Sequence, residues 1–90
     1  MANLVLMDFY AEWCGPCRTQ GPIFEALAKD FSDRAEFRKI NVDKAGDLAT
    51  EKEIMFVPTI ILEKDGVEVQ RWTGVTPREE LIRAIEKASQ

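Results

Sequence analysis

No histidine occurs anywhere in the chain, and only two of its 90 residues are cysteine. The most versatile proton carrier at neutral pH is therefore missing, and so is the commonest metal ligand. A tetrahedral metal site would need oxygen ligands or a second chain, because there is no second cysteine pair. Haem attachment is excluded as well, since Arg18 follows Cys17 where that motif requires histidine. Positive charge is scarce: 12 Lys and Arg against 16 Asp and Glu give a net charge of −4, which argues against the basic stripe of a nucleic-acid surface. No segment approaches the roughly 18 apolar residues of a membrane span. Arg18 is the first positive side chain and Asp8 interrupts the early apolar run, so no secretory leader is expected and a cytoplasmic location is. Two cysteines three apart close too short a loop to staple a small secreted fold. Repeats, linkers and low-complexity stretches are absent, which points to one domain over residues 1–90.

What is present reads as a regular alternation of strands and helices. Leu4 to Tyr10 is apolar on both of its alternating faces, apart from Asp8, as in a central strand covered from two sides. Residues 15–31 carry Ile23, Phe24, Leu27, Ala28 and Phe31 at helical spacing, with Pro22 inside to kink the helix. Residues 35–42 form a second strand edged by charges, and residues 46–53 a weak short helix. Thr59 to Glu63 and Val67 to Thr73 flank Asp65-Gly66, a strong hairpin signal. Thr76 is placed to cap a last helix, with Pro77 at its first position and Glu79 completing a capping box. Leu81, Ile82, Ile85 and Ala88 are the buried stripe of that helix. The helical crossover makes the first two strands parallel, and the hairpin adds an antiparallel pair. The expected fold class is α/β: a four-stranded mixed sheet sandwiched between helices.

The chemistry concentrates in Trp13-Cys14-Gly15-Pro16-Cys17. Residues i and i+3 at a helix start share one face, with Cβ atoms roughly 5–6 Å apart. That is close to the geometry of a disulfide, so the pair can open and close with little backbone movement. With Cys14 as N-cap, Pro16 offers no amide hydrogen, and the Cys17 N–H is the donor left for the Cys14 sulfur. This bond and the positive helix end favour the thiolate of Cys14. Cys14 is then the attacking thiol and Cys17, one turn inside and less exposed, the resolving one. Trp13 offers a flat apolar surface to a partner. Asp8 is the one acidic residue set among apolar neighbours, and burial would raise its pKa toward the range useful for acid–base work. Lys39, on the same alternating face of its strand as Phe37, is a candidate partner. Read from the residues alone, Asp8 is equally an Asp satisfied at a strand end or by water. Pro58 by default is a trans proline opening a strand, Trp72 is packing, and Phe56 is either core or rim.

The stretch Asp8-Phe9-Tyr10-Ala11-Glu12-Trp13-Cys14-Gly15-Pro16-Cys17 closely resembles the active-site signature of the thioredoxin family. Pro22, Lys39-Ile40-Asn41-Val42-Asp43, Val57-Pro58-Thr59 and Gly74 extend the resemblance over nearly the whole chain. It implies a thioredoxin-like fold and a protein-disulfide reductase in which Cys14 attacks and Cys17 resolves. It implies Asp8 as the buried carboxylate behind the pair, with Lys39 near it, and Gly15-Pro16 as the dipeptide of the reducing members. Pro58 becomes a cis-proline facing the disulfide, and Val57, Trp13, Gly74 and Val75 line a groove for the substrate polypeptide. The implied partners are a thioredoxin-reductase-type electron donor and disulfide-containing proteins; the implied state is a monomer without cofactor or metal. The sequence departs from the family pattern in three places. A strand and helix usual before the position of Leu4 are lacking, Tyr10 replaces a commoner tryptophan, and Phe56 is bulky. The first departure gives an outline closer to a glutaredoxin and makes residues 35–42 an open edge guarded by Glu36, Arg38 and Lys39. The competing readings are a glutathione-coupled glutaredoxin-like reductase, a non-catalytic binding subunit on the same fold, and an iron–sulfur cluster bridged between two chains.

Overall fold

The computed structural model describes residues 3–90. Its centre is β1 (Leu4–Tyr10), which is buried along nearly its whole length. The strand is flanked on one side by β2 (Glu36–Asn41) in parallel and on the other by β3 (Thr59–Lys64) in antiparallel register. The hairpin partner β4 (Val67–Thr73) completes the order β2-β1-β3-β4. The expected mixed four-stranded sheet is thus formed, and the parallel pair is the one joined by a helix.

The two apolar faces of β1 serve two separate cores. Leu4 and Leu6 pack with Phe24 and Leu27 of α1 (Gly15–Asp30) and with Leu81, Ala84 and Ile85 of α3 (Arg78–Ala88). Val5, Met7 and Phe9 turn the other way, toward Ile40, Ile61 and the apolar side of α2 (Gly46–Glu51). By strand alternation, Asp8 points to the same side as Leu6, beneath α1. Trp72 is packing, on the α1 and α3 side.

Most element boundaries agree with the sequence expectation to within two residues, and α1 runs unbroken through Pro22. The hairpin is as expected, because Asp65 (φ 53) and Gly66 (φ 82) both take the positive φ that a primed turn requires. One expectation fails at α3. Thr76 is not its N-cap: Pro77 holds that position and no side chain caps the helix. The reason is competition for the same groups. Gln20 Oε1 accepts from the Thr76 backbone N–H at 2.7 Å, the bond Glu79 needed for a capping box, and Thr76 Oγ1 donates to the Gly74 carbonyl at 3.3 Å.

Candidate active site

β1 ends at Tyr10, and the chain turns through Trp13 into α1 with Cys14 in extended conformation as N-cap (φ −91, ψ 115). Gly15 and Pro16 open the helix, so neither the missing proline hydrogen nor the fixed ring costs a helical bond. The Cys17 backbone N–H donates to Cys14 Sγ at 3.2 Å, as the spacing predicted. Cys14 and Cys17 are joined as a disulfide, with Cα atoms 5.3 Å apart. The redox pair therefore sits where one backbone donor, the Cys17 N–H, and the helix dipole act on the Cys14 sulfur.

One expectation about this pair needs correction. Cys17 is no more sheltered than Cys14: the two residues are 5% and 4% exposed. Cys14 is covered because it packs with Ala11 against Tyr10, Val42 and Val57, and its sulfur lies 3.6 Å from the Val57 carbonyl oxygen. The Val57–Pro58 peptide bond is cis, as the resemblance implied and contrary to the trans default read from the residues alone. Gly74 follows β4 at φ +87, a conformation that favours glycine, and its N–H donates to the Pro58 carbonyl at 2.8 Å. Three segments distant in sequence therefore meet around the disulfide.

Beside the pair lies a groove of about 360 Å³ walled by Trp13, Val42, Ile54, Met55, Phe56 and Val57. Trp13 is 69% exposed, and its indole N–H donates to Asp43 Oδ2 at 3.0 Å, which fixes the ring as one wall. Phe56, left between core and rim by the sequence, is at the rim, 68% exposed. Val75 is also exposed but stands on the Gly74 side, outside this groove's lining.

Asp8 is fully buried, and neither carboxylate oxygen has a hydrogen-bond partner among the described residues. Burial, the largest cause, raises its pKa to about 6; Lys39 opposes the rise and Glu25 adds to it. Lys39 is the β2 register partner of Asp8, but its ammonium goes elsewhere. It pairs with Glu25 Oε2 at 2.6 Å and lies 4.8 Å from the centre of the Tyr10 ring. The expected Asp8–Lys39 pair is thus a long-range influence. Glu25 holds Lys39 above its ordinary range and draws the charge toward solvent. Cys17, Tyr10, Gly21, Pro22, Glu25 and Lys39 share a second hollow of about 350 Å³, which Trp13 does not line.

Sequence reasoning missed Gln20 and Glu25, and it quoted Asp43 without giving it the role of acceptor for the Trp13 indole. Gln20 carried a signal: Cys17, Gln20, Phe24 and Leu27 follow the 3-4-3 spacing of one helix face, and a glutamine on a buried face needs partners.

The family model described as Thioredoxin matches residues 1–87. The chain belongs to the thioredoxin family. It is 40% identical over 86 residues to the thioredoxin of Staphylococcus aureus, covering 96% of this chain and 83% of that one. Identity to the thioredoxin of Staphylococcus saprophyticus is 43% over 82 residues, 91% of this chain and 79% of the other. Among solved structures, thioredoxin from Fasciola hepatica superposes with a TM-score of 0.87 at 38% identity, covering 96% of this chain and 81% of that one. A mutant thioredoxin from Halobacterium salinarum gives 0.89 at 38% identity, over 98% and 76% of the two chains. With a thioredoxin fold and a Cys14–Cys17 disulfide, the chain is a thiol–disulfide oxidoreductase of the protein-disulfide reductase kind. Neither the glutathione-coupled reading nor the binding-subunit reading is favoured.

Proposed function

We propose that the protein works as a reductant of protein disulfides, with Cys14 as the attacking and Cys17 as the resolving thiol. The observation that carries this assignment is the Cys17 N–H donating to Cys14 Sγ at the start of α1. A donor there stabilises negative charge on Cys14 and on no other sulfur. The Cys14 thiolate attacks one sulfur of a substrate disulfide, forming a mixed disulfide and releasing the other substrate sulfur as thiolate. Asp8, poised near neutrality by its burial, then takes the proton of Cys17, directly or through water. The Cys17 thiolate attacks Cys14, the Cys14–Cys17 bond forms, and the second substrate sulfur leaves. Two electrons have passed to the substrate, and a thioredoxin-reductase-type donor supplies two more to reopen the Cys14–Cys17 bond.

Trp13, Val57, Pro58, Gly74 and Val75 receive the polypeptide around the substrate disulfide. The Val57 backbone is available for strand addition, and the side chains of the groove contact the residues flanking the half-cystine. Gly15 and Pro16 tune the pair by shaping the first turn of α1, and Lys39 tunes it through Asp8. We take the chain as a single domain acting as a cytoplasmic monomer. No helix among the described residues is long and apolar enough to cross a membrane.

The test is insulin reduction with candidate reductases supplied in turn, together with a Cys17→Ser variant challenged with disulfide substrates. The variant should accumulate mixed disulfides through Cys14. Their absence, or a reduction potential as oxidising as about −150 mV rather than near −270 mV, would reverse the reductant assignment.

A further inference from the structure

Gln20 is the one fully buried uncharged amide side chain of α1, and both ends of that amide are used on a single distant residue. Its Oε1 accepts from the Thr76 N–H at 2.7 Å, and its Nε2 donates to the Thr76 carbonyl at 3.2 Å. Thr76 is 3% exposed, so water does not compete for either bond. The glutamine stands one turn past Cys17, on the helix that presents the reactive sulfur.

The segment it grips is short and otherwise lightly held. At its start, Gly74 N–H donates to the Pro58 carbonyl. At its end, Thr76 precedes Pro77, which has no N–H to contribute and caps α3 only through its backbone. Between these points Val75 stands out into solvent, 45% exposed. The Thr76 Oγ1 contact to the Gly74 carbonyl lies within the bend itself, so the two Gln20 bonds are the ones that tie Thr76 to α1.

We propose that Gln20 is a positioning residue that straps the Gly74–Thr76 bend to the helix of Cys14 and Cys17, so that polypeptide disulfides meet a preset wall. This rests on the reading, given above, that Gly74 and Val75 contact the substrate chain. Two paired backbone bonds fix both distance and rotation of the bend, whereas apolar packing at position 20 would fix neither. The strap therefore acts on substrates long enough to touch the bend and leaves the sulfur chemistry alone. A small disulfide needs only the Cys14–Cys17 pair.

The experiment compares the unsubstituted protein with Gln20→Met, which keeps length and removes both hydrogen bonds. Insulin and 5,5′-dithiobis(2-nitrobenzoate) serve as large and small disulfides. Removing a buried hydrogen-bond partner should raise the KM for insulin roughly fivefold to tenfold while kcat holds. The rate with the small disulfide and the reduction potential should stay as they were. An unchanged insulin KM overturns the proposal, and so does an equal loss on both substrates, which would mean that Gln20 merely supports the fold. If the unsubstituted protein reduces neither disulfide, it is the reductase reading that fails instead. Amide hydrogen exchange of the unsubstituted protein gives a second measurement that does not depend on a variant folding. The Thr76 amide should be protected well beyond that of Val75, and equal rates at the two positions overturn the strap.

Discussion

At the scale of single residues, Asp8 is a fully buried ionisable side chain. Its carboxyl is raised from 3.8 to about 6 because burial disfavours the charged form. The sign of its effect on stability follows. Below pH 4 the group is neutral both folded and unfolded and costs nothing. Between 4 and 6 the unfolded chain has released a proton that the folded chain keeps, so stability falls as pH rises. Above 6 both are charged and the penalty is complete, on the order of 3 kcal/mol. Asp8→Asn should therefore be more stable than the parent at pH 8, by up to that amount, with the gain largely gone at pH 4. Urea unfolding at the two pH values measures it, and an equal gain at both would show that burial of the charge is not the cause. The same variant should slow resolution of the mixed disulfide. That Asp8 is unusual was legible from its apolar neighbours in β1. That Lys39 turns away to Glu25 was not, because which of two carboxylates a lysine reaches depends on how α1 crosses β2.

At the scale of elements, the start of α1 is where local sequence decided the outcome. Gly15 and Pro16 fit a first helical turn, and Pro16 leaves the Cys17 N–H as the donor to Cys14. In the reduced protein the Cys14 thiol should titrate clearly below the roughly 8.5 of a free cysteine. Thiolate absorbance across a pH series reads this directly, and an ordinary cysteine value would leave the proposed attack without its activated nucleophile. The hairpin was legible for the same reason, since Asp65-Gly66 is a local instruction. Gly66→Ala places a Cβ at φ +82 and should cost about 1 kcal/mol, measurable by urea unfolding, with the disulfide chemistry untouched. The start of α3 was misread although its local signals were good. Thr76, Pro77 and Glu79 spell a capping box, but the Thr76 amide was taken by Gln20, 56 residues away. A local motif loses when a buried side chain from another element offers the same bond without water to compete. The cis bond before Pro58 belongs with these, because residues 57 and 58 by themselves favour trans and the resemblance was needed to expect otherwise.

For the whole molecule, the two faces of β1 divide the labour. The α1 and α3 side joins the fold together, while the opposite side seats α2 and the chain leading into the groove. This two-sided plan was readable because β1 is apolar in both alternating phases and the helices carry one stripe each. The groove was only half readable: Trp13 and Val57 were singled out, whereas Ile54 and Met55 join them through the path of the 52–58 segment, which no periodicity encodes. Stability and chemistry should separate along this plan. Phe24 is 1% exposed, packs edge-on against Phe37 with ring centres 5.6 Å apart, and touches neither the groove nor the disulfide pair. Truncating such a side chain costs about 3–5 kcal/mol, a large share of the roughly 5–15 kcal/mol that holds a domain of this size together. Phe24→Ala should therefore shift the urea midpoint far down. Well below its own unfolding temperature, however, the variant should reduce a small disulfide at the parental rate, because Cys14 and its N–H donor belong to the first turn of α1. A folded Phe24→Ala protein that had lost this activity would show that the core sets the position of that turn, and that the thiol environment is a property of the packed sheet and not of the helix end.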